Sequence, residues 1–194
     1  MKELYTLVTP AAIAPVSLEE CLSDLRIDNS DEDDLIEAYI RAATEFCSEV
    51  VGRKLINEVW KYSIRFVGDG KIELPFQPVS ELIEVQYFDN DNASQTIPLN
   101  NFYVYNYDTV STIEPVLNYT WPLSYNRRDA INITFKTGYG DNPESVPETI
   151  RRAIRLMVVH MYEIRSPIMV GPNVIEVPMS VQALLSIERR GWMA

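Results

Sequence analysis

A single histidine limits the chemistry that one copy of this chain can perform. His160 is the only histidine among 194 residues, so a histidine triad or a metal site with several histidine ligands is excluded within one chain. It flanks the apolar stripe of a predicted helix, where a lone histidine is more often a packed structural residue. Neither a phosphate loop nor a Gly-x-Ser-x-Gly elbow occurs, and Gly138-Tyr139-Gly140 lacks the third glycine of a dinucleotide loop. We therefore predict no enzyme, no catalytic residue and no cofactor.

One acidic segment near the N-terminus has part of the spacing of a calcium loop. Asp28, Ser30 and Glu32 stand where the first ligands of an EF-hand would stand. The sixth position requires glycine and is Asp33, and the twelfth requires a bidentate glutamate and is Tyr39. An acidic cluster at the start of a helix explains the same residues, so we predict no metal site.

The charge of the chain argues against general affinity for DNA or for anionic membranes. The net charge is -11, and residues 1–50 alone carry 12 acidic and 3 basic side chains. Non-specific DNA binding depends on an excess of Lys and Arg. Arg151, Arg152 and Arg155 form one basic helix face, which contacts either phosphates or carboxylates of the protein itself. No segment approaches the ~18 apolar residues of a membrane span.

Helical and alternating patterns divide the chain into three parts. Ser17 and Glu20 have the spacing of a capping box, which begins a helix that ends near Leu25. A second helix follows the acidic segment and ends at Gly52, a third begins after Val146-Pro147, and a fourth spans about 178–190. Residues 166–177, with two prolines and a glycine, are predicted to be a mobile loop.

Between the second and third helices the pattern alternates with a period of two, which predicts short antiparallel strands. The predicted strands are Val59–Phe66, Lys71–Leu74, Leu82–Phe88, Gln95–Pro98, Phe102–Tyr105, Thr112–Val116 and Ala130–Thr137, with a hairpin turn at Gly68-Asp69-Gly70 and an N-terminal strand or arm within Leu4–Val16. The predicted class is α+β: a small bundle of N-terminal and C-terminal helices with an antiparallel β-rich insertion. We expect one domain over 1–194, with helical parts at 17–56 and 147–190 and the insertion at 57–146.

The C-terminal segment has the composition of a protein-binding anchor. Leucine, arginine and tryptophan follow one another in a terminal helix after a proline-rich loop, and such residues fill grooves on partner proteins. The alternative is that this helix packs back on its own core. The candidate partner-binding residues are Val181, Leu184, Leu185, Arg189, Arg190 and Trp192.

The order of several short motifs resembles a known family. These motifs are Leu25-Arg26-Ile27-Asp28, Gly52-Arg53-Lys54-Leu55, Ile72-Glu73-Leu74-Pro75, Val85-Gln86-Tyr87-Phe88-Asp89, Trp121-Pro122, the run from Ile133 to Gly140, Val146-Pro147 and Val177-Pro178. The series resembles the head-tail connector (adaptor) proteins of tailed bacteriophages and prophages, in the version with a β-rich insertion. The resemblance extends from about Ser17 to Leu185, through order and spacing rather than through any single motif.

The resemblance implies a structural role in the neck of a virion. It implies a ring of about twelve copies below the portal protein, which extends the DNA channel and receives a downstream neck or tail completion protein. Double-stranded DNA would pass without sequence-specific contact, and the C-terminal segment would face the portal. The protein would be made in the cytoplasm of a bacterial host and would not contact a membrane.

Two other functions are compatible with the residues. A soluble ligand- or peptide-binding module would use the aromatic sheet, with a groove formed by Tyr87, Tyr103, Tyr105, Tyr107, Tyr119 and Trp121. Aromatic residues favour strands in any case, so a role in the core explains them as well. An acid-based enzyme would need two carboxylates to converge among Asp89, Asp91 and Asp108.

Overall fold

A computed structural model describes residues 4–29, 31–65, 70–107, 110–164 and 177–189 of the chain. Over these residues it confirms the α+β class. The helices are α1 (Leu18–Leu25), α2 (Asp33–Val51), α3 (Glu148–Glu163) and α4 (Met179–Glu188). The strands are β1 (Leu4–Thr9), β2 (Glu58–Ile64), β3 (Ile72–Leu74), β4 (Val79–Phe88), β5 (Ser94–Ile97), β6 (Phe102–Asn106), β7 (Ser111–Pro115) and β8 (Ile131–Thr137). The predicted loop at 166–177, except Val177, and the turn residues Gly68 and Asp69 lie outside the described residues.

The chain forms two compact units. One comprises residues 13–55 and 141–194 and contains the four helices. The other comprises residues 1–12 and 56–140 and contains the eight strands. The N-terminal strand therefore belongs to the β-rich unit, although it precedes the first helix in the sequence.

The helical unit is organised by caps and by apolar helix faces. The Ser17 hydroxyl accepts a hydrogen bond from the Glu20 backbone N–H at 3.1 Å, and the Glu20 carboxylate accepts one from the Ser17 N–H at 2.9 Å. This capping box fixes the start of α1. Helix α3 packs against the other three helices, and α2 also contacts α1 and α4. The buried apolar side chains of the helices are Cys21, Ile36, Ile40, Ala43, Cys47, Val51, Ile150, Ala153, Ile154, Met157, Val158, Val181 and Leu185.

Two antiparallel sheets build the β-rich unit. The larger has the strand order β1-β2-β8-β4-β5 and the smaller has the order β3-β7-β6. Alternate residues of a strand point to opposite faces, so one face of each sheet is apolar. Both sheets contribute to one core, which includes Tyr62, Val85, Ile133 and Phe135 from the larger and Ile113 from the smaller. Strands β1, β5, β3 and β6 are the edges.

Candidate interaction surfaces

The residues that suggested metal or acid chemistry do not converge. Within the described ranges, no group of three or more His, Cys, Asp and Glu side chains is placed to hold a metal ion. Asp28 and Glu32 instead line an open polar pocket of about 410 Å³ with Arg26 and Tyr162, whereas Ser30 lies outside the described residues. The Nε2 atom of His160 is buried and has no hydrogen-bond partner.

The aspartates considered for acid catalysis shape a turn. One Asp89 carboxylate oxygen accepts hydrogen bonds from the backbone N–H groups of Asp91 and Ala93, both at 3.0 Å. A hydrogen bond from the Gln95 side chain lowers the pKa of Asp89, and the Ala93 N–H lowers it further. A general acid needs the opposite shift. Asp108 lies outside the described residues.

The basic face of α3 is paired with carboxylates of α1. Arg155 holds Asp24 through two hydrogen bonds of 2.7 Å, and both side chains are about one-fifth exposed. Arg152 reaches the same carboxylate at 3.2 Å and is 45% exposed. Arg151 binds Glu20 at 2.7 Å. The sequence left open whether these arginines contact phosphates or carboxylates of the protein itself. The structure shows that they pair with the carboxylates.

This pairing changes the proton affinity of the two carboxyl groups. The hydrogen bonds from Arg155 lower the pKa of Asp24, and the charges of Arg155 and Arg152 lower it further, against an opposing effect of burial. Burial raises the pKa of Glu20, but the Ser17 N–H and the charges of Arg151 and Arg155 outweigh it, so this pKa is also lowered. The ionised forms of Asp24 and Glu20 therefore stabilise the folded state.

The lowered pKa of Asp24 predicts a specific dependence of stability on pH. The contribution of Asp24 is fully present above its unfolded pKa of about 4 and is lost as the pH falls through its lower folded pKa. Urea unfolding between about pH 5 and pH 2 should therefore show a declining free energy of unfolding, with a shallower decline for Asp24→Asn. Glu37→Gln is the control. Among the described residues, the one ion pair of Glu37 is an exposed contact of 3.6 Å with Arg41. An unchanged slope in Asp24→Asn would contradict the pairing.

Helix α4 packs against its own unit with one side and exposes apolar residues on the other. Val181 and Leu185 are 0% and 1% exposed, so the packed interpretation holds for these two candidates. Leu184 is half-buried and Arg189 is exposed, while Arg190 and Trp192 lie outside the described residues. The largest exposed apolar side chains of α4 are Met179 and Ile187, at 86% and 70%.

Sequence reasoning missed these two residues. The large apolar residues of α4 are distributed around the helix rather than along one stripe, so the sequence gives only a weak periodic signal for the side that packs. The available signal was that Met179 and Ile187 are large apolar residues outside the stripe of Val181 and Leu185.

The aromatic residues of the β-rich unit do not form one groove. Tyr87, Tyr119 and Trp121 pack against the core, and the Trp121 indole donates to the Gly70 carbonyl at 2.8 Å. Three other tyrosines are between 39% and 54% exposed: Tyr103 and Tyr105 in β6, and Tyr107 directly after it. The six residues proposed for a ligand groove are therefore divided between the core and the surface.

Comparison with solved structures shows the fold. The chain is similar to a chain in the neck of an empty gene transfer agent particle computed with C6 symmetry, with a TM-score of 0.79, 19% identity and coverage of 98% of this chain and 97% of that one. It is also similar to a chain in the virion of a native gene transfer agent particle, with a TM-score of 0.77, 18% identity and 98% and 97% coverage. A third similar chain is in the neck of the native gene transfer agent particle computed with C12 symmetry. The TM-score is 0.73, the identity is 18%, and the match covers 100% of this chain and 98% of that one.

Sequence comparison shows the family. No curated protein sequence is significantly similar to the chain. The family described as phage gp6-like head-tail connector proteins matches residues 15–118, which is more than half of the chain and includes α1, α2 and β2–β7. No helix in the described ranges is long and apolar enough to cross a membrane. The chain therefore belongs to the gp6-like head-tail connector family of phages.

Proposed function

We propose that this protein is a structural component of a virion neck, where about twelve copies form a ring that joins head to tail and extends the DNA channel. The observation that carries the proposal is the family match over residues 15–118. The likeness in fold to chains of necks with C6 and C12 symmetry, over 98% and 100% of this chain, supports it. In this role all 194 residues act as one connector domain.

The charge of the protein suits a channel through which DNA moves. A wall that carries excess negative charge repels phosphates, so the duplex slides without being held. The net charge is -11, and the basic side chains of α3 are already engaged by Asp24 and Glu20. DNA therefore passes without sequence-specific contact.

The proposed portal contact is the exposed side of α4 with the residues that follow it. Met179 and Ile187 offer apolar contact area, and Arg189 adds exposed positive charge. Leu184, Arg190 and Trp192 remain part of this proposal. Val181 and Leu185 contribute to this contact indirectly, because their burial in the helical unit holds α4 in place. A downstream neck or tail completion protein binds elsewhere on the ring.

Substitution on α4 tests the portal contact. The double variant Met179→Glu with Ile187→Glu should bind the portal ring of the same phage at least about tenfold more weakly, because two apolar side chains of the proposed contact are replaced by charged ones. Binding is measured by interferometry with immobilised portal. Deletion of residues 179–194 is a poorer test, because it also removes Val181 and Leu185 from the core.

The control is Ile83→Glu, which changes an isoleucine of the β-rich unit that is 41% exposed. It should bind portal like the unsubstituted protein. Equal binding by the double α4 variant and by this control would overturn the proposed portal contact.

A further inference from the structure

Strand β1 is attached to the edge of its sheet without being enclosed by it. Within the described residues, β2 is the one strand that pairs with β1, in an antiparallel ladder that extends from Leu4 to Thr9. All six residues of β1 are exposed, whereas every residue of β2 is buried or half-buried. The pairing with β2 is therefore the main attachment of β1 to the β-rich unit.

This pairing is nevertheless specific. Tyr5 lies directly opposite Tyr62, and Leu7 lies directly opposite Trp60. The Tyr5 ring meets two other aromatic rings edge-on, with centroids 6.1 Å away for Trp60 and 5.2 Å away for Phe76. A slip of one residue would turn Tyr5 to the opposite face and break both contacts. Strand β2 thus offers an acceptor edge that fits β1 in one register.

The connection from β1 to the helical unit is exposed. Residues 10–14 make this connection, and all of them are exposed except Ala11, which is half-buried. The chain is anchored beyond it, where Pro15 and Val16 are buried. The Pro15 carbonyl also accepts a hydrogen bond from the Arg151 Nε atom at 3.1 Å. The connection therefore lies between a fixed point in the helical unit and a strand held by one edge.

The other two points at which the chain passes between units are tied to each other. The chain enters the β-rich unit at Ile56 and leaves it at Gly140. The Asn57 N–H donates a hydrogen bond to the Gly140 carbonyl at 2.9 Å. Gly138 also lies against the backbone of Ile56 and Asn57. Strand β1 can leave its sheet without breaking these contacts, whereas the strands between Ile56 and Gly140 are held by them.

We propose that β1 of each copy pairs with β2 of the next copy in the ring, in the register seen within one chain, an inference that rests on the proposed function. Exchange of an identical element between copies forms the same contacts between chains as within one, so none of them is lost. Each copy then donates β1 and accepts another β1 at β2. Donor and acceptor are different surfaces, so the contact is head-to-tail, as a closed ring requires.

The acceptor edge identifies a second copy as the donor. A strand that fits it must place an aromatic ring against Trp60 and Phe76 and must reproduce the irregular pairing between Leu7 and Thr9. Strand β1 does both, and every neighbour in a ring of identical chains carries one. The chemistry of the contact is therefore already present in the structure of one chain.

The length and composition of the connection suit this exchange. A connection of five residues extends to at most about 17 Å, so β1 reaches the acceptor edge only of a copy in direct contact. Pro10 and Pro15 flank the connection. Proline keeps the residue before it in extended backbone, which favours reach over a tight reversal. Exchange is therefore expected between adjacent copies.

A cysteine pair across β1 and β2 distinguishes exchange from pairing within one chain. Thr6 and Lys61 are directly opposite each other, on the face away from Tyr62. Such pairs lie at a separation that a disulfide spans. The variant with both Thr6→Cys and Lys61→Cys is assembled on the portal ring, oxidised and separated on a denaturing gel without reductant. We expect a ladder of linked chains that extends to the full ring, because each disulfide joins two copies.

The matched control carries Lys61→Cys with Thr134→Cys. These residues are directly opposite each other on β2 and β8, two neighbouring strands inside the same sheet. Their disulfide should close within one chain, so rings of this variant should give only monomers on the gel. Burial raises the pKa of Cys21 to about 11 and that of Cys47 to about 12, so the native thiols remain unreactive.

Two further measurements use the same substitutions. An equal mixture of the single variants Thr6→Cys and Lys61→Cys, assembled and oxidised, should give linked dimers, and neither variant alone should. The double variant with Thr6→Cys and Lys61→Cys can also be oxidised as a dilute free chain, where β1 pairs with its own β2. This locked chain should form rings at least about tenfold less, because its exchange-competent population is removed. Reductant should restore its rings, and the oxidised Lys61→Cys with Thr134→Cys control should assemble normally.

The outcomes separate exchange from the proposed function. Rings of the variant with Thr6→Cys and Lys61→Cys that yield only monomers on the gel would overturn exchange and leave the proposed function intact. Normal ring formation by the locked chain would do the same. Failure of the unsubstituted protein to form rings even with the portal ring would overturn the proposed function itself.

Discussion

Gly138→Ala is expected to lower the free energy of unfolding of the β-rich unit by about 3–5 kcal/mol. Gly138 has a φ of +143°, which L side chains rarely adopt, and a Cβ there would lie 2.6 Å from the backbone of Ile56 and Asn57. The strain of the dihedral costs about 1–3 kcal/mol, and the overlap costs a similar amount because backbone atoms cannot swing away. Urea unfolding followed by tryptophan fluorescence measures the effect, since all tryptophans but Trp192 are in this unit.

Gly70→Ala is the matched control. Gly70 lies in the same unit and has a φ of +90°, but a Cβ there meets nothing within 4 Å. Only the dihedral strain applies, so we expect a loss of about 1–2 kcal/mol. Equal losses for the two variants would show that the close approach at Gly138 does not determine stability.

Arg155→Ala is expected to lower the free energy of unfolding of the helical unit by about 2–3 kcal/mol. The substitution removes two charge-assisted hydrogen bonds to Asp24 and leaves this carboxylate with the more exposed Arg152 alone. Hydrogen bonds to charged groups contribute about 1.5–3 kcal/mol where they are partly buried. Unfolding followed by circular dichroism at 222 nm measures the helical unit.

Arg152→Ala is the control for this pair, because it removes another arginine of α3 that contacts the same Asp24 carboxylate. Arg152 is 45% exposed and makes one contact of 3.2 Å with Asp24, so we expect a loss of less than about 1 kcal/mol. A double-mutant cycle of Arg155→Ala with Asp24→Ala should give a coupling energy well above that of Arg152→Ala with Asp24→Ala. Equal coupling energies would contradict the expectation that Arg155 is the stronger of the two partners of Asp24.

The sequence predicted local structure well where local chemistry determines it. The capping box of Ser17 and Glu20 placed α1 at Leu18–Leu25, which the structure confirms. Alternation located every strand of the insertion within a few residues. Strand β4 begins at Val79 rather than Leu82, because irregular pairing with β8 between Val79 and Glu84 interrupts the period-two pattern.

Long-range pairing could not be predicted from the sequence in the same way. The pairing of β1 with β2 joins residues that are at least fifty positions apart, and no local pattern encodes it. Asp24, the partner of Arg155, is 131 positions away in the sequence. The sequence therefore did not show whether Arg155 contacts a phosphate or a carboxylate. The packed side of α4 depends on tertiary contacts, which bury Val181 and expose Met179.

The most direct test of the connector role is the mass of the full chain in solution, alone and mixed with the portal ring. Light scattering measures this mass over a wide range of concentrations, and negative-stain images show the particles in the same fractions. A connector role predicts closed rings of about twelve copies with a central hole that admits duplex DNA, formed either freely or only on the portal. A chain that remains monomeric at all concentrations and does not associate with the portal ring would contradict it.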